Sequence, residues 1–174
     1  MRPFLFALLG SSALIAGCGL MGPGNGPMAR ATLEATRGNT AAGTVSFQAK
    51  DDGVLMQVSV SGLKPNQEHG FHIHEKGDCS SGDGMSTGGH FNPTGKPHGP
   101  QDSDHHAGDL PALKADASGQ VKLQVMVRGV GIGSGVGNIV GRGLIVHAMP
   151  DDFKTQPTGN SGARIACGVI VAQP

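Results

Sequence analysis

The feature that most constrains this chain is a repeated two-residue alternation of apolar and polar side chains. "GVLMQVSVSGL" sets Val54, Met56, Val58 and Val60 on one side. "QVKLQVMVRGV" does the same with Val121, Leu123, Val125 and Val127, and "GTVSFQA" adds Val45 and Phe47. In an extended strand successive side chains point to opposite faces, so each run buries one face and wets the other. Turn-forming stretches such as "KDDG" and "DASGQ" separate the runs. This predicts an all-β fold, an antiparallel sandwich or barrel with one face buried. A last run, "RIACGVIVA", is almost continuously apolar. No segment joins apolar spacing at three and four residues to capping residues, and the 30 glycines have no triplet period. Long helices and collagen are therefore excluded. At 174 residues the chain makes one domain of ordinary size.

The alternation is absent over 75–110, a stretch with eight Gly and three Pro. A loop of that length inside a compact domain needs some fastening other than a hydrophobic core. Metal ligands and cysteines are two such fastenings, and residues for both are present. A second irregular stretch, 150–162, follows His147. The run "RGVGIGSGVGNIVGRG", 128–143, is glycine-rich, and the sequence alone supplies no physical account of it.

Of the eight histidines, two stand one residue apart in "GFHIHEKGDC". On a strand His72 and His74 share a face and Ile73 takes the other, which makes the pair a ready chelate. In isolation the same pair also suits a solvated face. Further along come His90 and His98 in "GGHFNPTGKPHGP", His105, His106 and Asp109 in "DHHAGDL", and His147 in "GLIVHAMPDD". Zinc takes three nitrogens and an oxygen in a tetrahedron, whereas copper(II) prefers four nitrogens in a tetragonal arrangement. The inventory fits two metals better than one, provided that one imidazole bridges them.

The first residues have a different character. "MRPFLFALLGSSALIAGC" carries Arg2, an apolar run from Phe4 and small residues before Cys18. This predicts a secretory signal over 1–17, too short for a transmembrane helix. Its "IAGC" ending resembles the lipobox of bacterial lipoproteins. That resemblance makes Cys18 the lipidated first residue of the mature chain, 18–29 a flexible tether and 30–174 the folded domain. The expected location is a bacterial cell envelope, on the periplasmic side, with a membrane holding the lipid on Cys18. With Cys18 modified, Cys79 and Cys167 remain of the three cysteines. In an oxidising compartment they form a pair, the alternative being two buried thiols. Net charge is zero and no basic run occurs, so no nucleic-acid partner is expected.

Taken together, "GFHIHEKGD", "GGHFNPTGKPHG", "HAGDL", "GLIVHAMPDD" and "GNSGARIACGVI" resemble, in order, the signature segments of the copper/zinc superoxide dismutases, and in particular the exported bacterial ones. The resemblance runs from about Ala31 to Val171. It implies a Greek-key sandwich or barrel of the immunoglobulin-like kind, with one copper and one zinc ion per subunit. It implies copper ligation by His72, His74, His90 and His147, and zinc ligation by His90, His98, His106 and Asp109, with His90 as the bridge. It also implies that Asp151 links a ligand of each metal, and that Arg164 guides superoxide, the substrate, to copper. His106 is preferred to His105 because the family's zinc histidine stands three residues before its aspartate. His105 is left as a solvated residue and His69 as a structural one. Family members exist as monomers and as homodimers, and the sequence does not choose. Two rival readings stay open: a non-enzymatic copper- or zinc-holding lipoprotein, and a plain binding sandwich.

Overall fold

The computed structural model describes residues 26–174. The expected signal segment, Cys18 and most of the expected tether lie outside the described residues. Ten strands follow in chain order: β1 Met28–Ala35, β2 Ala42–Lys50, β3 Gly53–Ser61, β4 Glu68–His69, β5 Phe71–His74, β6 Leu113–Lys114, β7 Val121–Val127, β8 Gly143–His147, β9 Arg164–Val169 and β10 Val171–Gln173. Among the described residues the only helical element is one 3-10 turn, Met85–Thr87. β1 includes Met28 and Ala29, which the expected tether boundary placed outside the domain. They pair with Gln48 and Phe47 of β2, and Ala29 is fully buried, so both belong to the folded domain.

The alternating runs become neighbouring strands. In the β2–β3 hairpin Val45 lies opposite Val58 and Phe47 opposite Met56. β3 then pairs with β7, setting Met56 against Val125 and Val60 against Val121. Every second residue along β1 and β3 is buried, as the sequence pattern requires. Phe47 is among the largest fully buried side chains, and truncating such an aromatic to Ala typically costs about 3–5 kcal/mol.

The main sheet is antiparallel, in spatial order β5-β8-β9-β1-β2-β3-β7, with β10 also on β1. β1 is where it folds back: residues 28–33 pair with β2, whereas Glu34 and Ala35 pair with β9. The sheet therefore curls around β1. Its halves enclose one core, with Val45, Phe47 and Met56 from one side and Phe71, Ile73, Leu144 and Val146 from the other. After β3 the chain crosses to the far edge for β5, returns to place β7 beside β3, and crosses again for β8. This is the Greek-key course that the resemblance implied.

β5 and β8 are buried along their whole length. Phe71 and Ile73 join the core, so His72 and His74 face away from it and need another cover. The loop 75–110 supplies that cover by closing the outer edge of β5. Ile73 N–H donates to the Gly108 carbonyl (2.8 Å), Phe91 N–H to the Ile73 carbonyl (2.8 Å) and Leu110 N–H to the Phe71 carbonyl (3.2 Å). A side chain at position 108 would overlap the Ile73 carbonyl, so glycine is what lets the two backbones meet. A Cys79–Cys167 disulfide, Cα–Cα 5.9 Å, ties the same loop to β9. The sheet edge is thereby satisfied without a further strand.

The glycine-rich run 128–143 also gains an account. It sends Val130, Ile132 and Ile139 into the core. Between them the chain reverses, with Gly131 bridged to Asn138 and φ of +90° at Gly133 and +80° at Gly135. Only glycine takes those angles without strain.

Candidate metal centre

Two groups of buried side chains meet beneath the long loop. His72, His74, His90 and His147 each offer one ring nitrogen, and these atoms lie within 4.8 Å of one another. His90, His98, His106 and Asp109 form a second such group under the same limit, sharing His90 with the first. The first group is mostly strand-borne: His72 and His74 come from β5 and His147 from the end of β8. A register shift between Val146 and His147 re-aims that end and sets His147 opposite Arg164 of β9. The second group comes wholly from the loop.

Hydrogen bonds fix which nitrogen of each ring is free. His72 Nε2–H donates to Asp151 Oδ2 (2.6 Å), leaving Nδ1. His74 Nδ1–H donates to the Gly88 carbonyl (2.9 Å) and His147 Nδ1–H to the Gly162 carbonyl (3.2 Å), leaving Nε2 in both. His98 Nε2–H donates to Asp151 Oδ1 (2.9 Å), leaving Nδ1. The atoms left over, together with His90 Nε2 and His106 Nδ1, are buried and have no hydrogen-bond partner. Buried lone pairs without partners are costly unless something else occupies them, and a metal ion does so.

The second group fits zinc. Asp109 Oδ1 stands 2.8 Å from His90 Nδ1, 3.0 Å from His98 Nδ1 and 3.3 Å from His106 Nδ1. Metal–ligand bonds near 2.0–2.1 Å in a tetrahedron put donor atoms roughly 3.3 Å apart. The His98 contact lacks hydrogen-bond alignment, as expected of two donors aimed at a common centre. Asp109 Oδ2 is held separately, accepting from the backbone N–H groups of Gly99 (3.1 Å) and His106 (3.0 Å). The first group offers four imidazole nitrogens and no carboxylate, the donor set that suits copper.

Electrostatics divide the groups in the same way. Burial pushes His72 down to about 4, against the opposing pull of Asp151. Burial likewise pushes His147 down to about 3 and His74 down to about 2, with Arg164 adding to both shifts. These three rings are thus neutral ligands at neutral pH. Burial also acts to lower His98, but its contacts with Asp109 and Asp151 outweigh that and raise it to about 9. Burial acts to raise both carboxylates, yet close contacts with the rings of His90 and His98 hold Asp109, and with those of His72 and His98 hold Asp151, well below the usual range.

The structure brings together every histidine and carboxylate expected as a ligand. Asp151 touches a ring of each group, as expected. Arg164 is half-buried, and burial lowers its pKa. It donates from Nη1 to the Gly84 carbonyl (2.7 Å) and Thr87 Oγ1 (2.8 Å), and from Nη2 to the Gly88 carbonyl (2.7 Å). His105 belongs to neither group; its Nδ1 bonds to the Ser103 carbonyl (2.7 Å). His69 also stands apart, donating from Nδ1 to the His147 carbonyl (2.8 Å) and so steadying the end of β8. Sequence reasoning missed Gln156, Gly159, Gly88 and Gln101, whose amide reaches the Asp109 carbonyl. None carries a periodic or spacing signal.

Comparison with known proteins agrees with this geometry. The family model of copper/zinc superoxide dismutase (SODC) matches residues 41–170. Superoxide dismutase [Cu-Zn] 2 of Aquifex aeolicus (strain VF5) is 45% identical over 125 residues, covering 69% of this chain and 73% of that protein. Superoxide dismutase [Cu-Zn] 1 of the same organism is 44% identical over 125 residues, covering 69% and 74%. Among solved structures, a double mutant of a SOD-like protein from Bacillus subtilis is 40% identical with a TM-score of 0.75, covering 82% of this chain and 96% of that one. The chain belongs to the copper/zinc superoxide dismutase family. It is an oxidoreductase whose cofactors are copper and zinc.

Proposed function

We propose that the chain disproportionates superoxide, two anions and two protons giving dioxygen and hydrogen peroxide, in the envelope of a bacterial cell. In this reading His72 Nδ1, His74 Nε2, His90 Nε2 and His147 Nε2 hold copper, while His90 Nδ1, His98 Nδ1, His106 Nδ1 and Asp109 Oδ1 hold zinc. Copper, when bound, supplies one-electron oxidation and reduction, and zinc supplies a fixed charge without redox chemistry. The observation that carries the reading is the pair of buried donor sets sharing the ring of His90, with six ring nitrogens otherwise unpartnered.

The remaining roles fall to the chain's own groups. His90 Nε2 is the atom that can hold one of the two protons the product requires. Asp151 fixes the tautomers of His72 and His98 at once. Arg164 has three N–H bonds committed to the loop, which leaves two of a guanidinium's five to meet a small anion. Its charge attracts superoxide before contact. The test is metal content and superoxide decay measured on one sample of the full chain. Equimolar copper and zinc, with decay that follows copper content, are expected; background decay with both metals bound would overturn the reading.

The same reading anchors the chain to a membrane through a lipid on Cys18, facing the periplasm. The "IAGC" stretch supports it, as does an oxidised Cys79–Cys167 pair, which persists outside reducing compartments. Expression in a bacterium fed labelled fatty acid should give a labelled, membrane-associated chain, and Cys18→Ser should lose both properties. An unlabelled wild-type chain would remove the anchor.

A further inference from the structure

The loop 150–162 reaches the zinc-side ligands by a connection that no motif announces. The side-chain amide of Gln156 pairs with the backbone of His98 in both directions. His98 N–H donates to Gln156 Oε1 (2.8 Å), and Gln156 Nε2–H donates to the His98 carbonyl (2.8 Å). The same loop sends Asp151 Oδ1 to the ring of His98 and places the ring of Phe153 parallel to it, centroids 6.3 Å apart. His98 is therefore gripped at its backbone and at its ring by one segment, 58 and 53 residues away in sequence.

Gly159 is the second part of the grip. Its φ is +68°, and a Cβ there would overlap Asp151 Oδ1 and stand 2.5 Å from His98 Nε2. The Asp151–His98 bond thus packs directly on the Gly159 backbone. Any larger residue would displace that bond, whatever happens to the rest of the fold.

We infer that Gln156 and Gly159 are positioning residues for zinc, holding His98 so that its Nδ1 stays aimed at Asp109, His90 and His106. The inference rests on the zinc assignment proposed above. None of the four copper-side rings takes a bond from Gln156 or Gly159: His74 is held by the Gly88 carbonyl, His147 by the Gly162 carbonyl, His72 by Asp151 and His90 by Asp109. The effect is accordingly directed at one metal. Removing a group that orients a ligand typically weakens metal binding about 10- to 100-fold.

The experiment titrates the full chain, freed of metal by chelation, with zinc alone and with copper alone against a chromophoric competitor. Gln156→Ala should weaken zinc about 10- to 100-fold and shift copper by less than about threefold. Gln156→Glu keeps the acceptor for His98 N–H and loses the donor, so its zinc loss should be smaller than that of Gln156→Ala. Gly159→Ala should weaken zinc by a comparable factor, with a smaller copper loss because the displaced Asp151 also holds His72. An amide that only braced the fold would lower the unfolding midpoint and leave the zinc-to-copper affinity ratio unchanged. Stoichiometric zinc uptake by wild type, with that ratio unaltered in Gln156→Glu and Gly159→Ala, overturns this inference alone. No zinc uptake by wild type overturns the zinc assignment and the inference together.

Discussion

The two donor groups share a ring yet are built in opposite ways. The copper-side group hangs mainly on β5 and β8, strands buried along their whole length and locked into the core by Phe71, Ile73, Leu144 and Val146. The zinc-side group sits wholly on the loop, which meets β5 only through isolated bridges at His90 and Asp109. It is held by hydrogen bonds to backbone, by Asp151 and by Gln156. A strand-borne site is set by folding itself, whereas a loop-borne site needs its own fastenings. The charges follow suit: burial keeps His72, His74 and His147 neutral, and paired carboxylates draw a proton onto His98 in the second group.

The largest test of this contrast is metal removal. Copper-free, zinc-loaded chain should lose essentially all superoxide decay while retaining a cooperative thermal transition; full turnover in that sample would refute the assignment of roles. Next comes pH. His72, His74 and His147 have depressed folded values, so the folded metal-free chain refuses protons that the unfolded chain accepts below 6.5. Metal-free stability should therefore fall between pH 6.5 and about 4, by up to about 1.4 kcal/mol per pH unit for each ring. His98 has the opposite sign: its raised value contributes stability below 6.5 that is lost as pH rises towards about 9. Denaturant melts across pH should show a maximum near 6.5, and His98→Asn should flatten the alkaline limb alone. A stability flat from pH 6.5 to 4 would break the contrast.

Smaller effects follow. Cys79→Ser opens a link across 88 residues, for which loop-closure entropy gives roughly 4 to 5 kcal/mol. The melting midpoint should drop by roughly 10 °C or more, and zinc binding should suffer before copper binding. Asp151→Ala should weaken zinc about 10- to 100-fold and copper less, read by competition titration. Arg164→Ala should lower the second-order rate with superoxide about tenfold at low ionic strength, with the gap closing as salt is added. An equal rate at low salt would remove Arg164 from anion capture.

Much of this was legible in the sequence for a physical reason. Period-two burial exposes β2, β3 and β7 directly, because each has one face in the core. The ligands were legible because metals demand particular side chains, and Cys79 and Cys167 because few cysteines were left to pair. What escaped was bonding between side chain and distant backbone. Gln156 on His98 has no periodicity, and Gly108 against Ile73 is a demand of close approach that no neighbour in sequence reveals. The run 128–143 hid its core residues, Val130, Ile132 and Ile139, behind the glycines that let it reverse.

One oxygen has a consequence of its own. The Gly88 carbonyl accepts from His74 and from Arg164 at once. One peptide plane therefore sets the aim of both an imidazole and a guanidinium, so a substitution that turned it would misdirect the pair together.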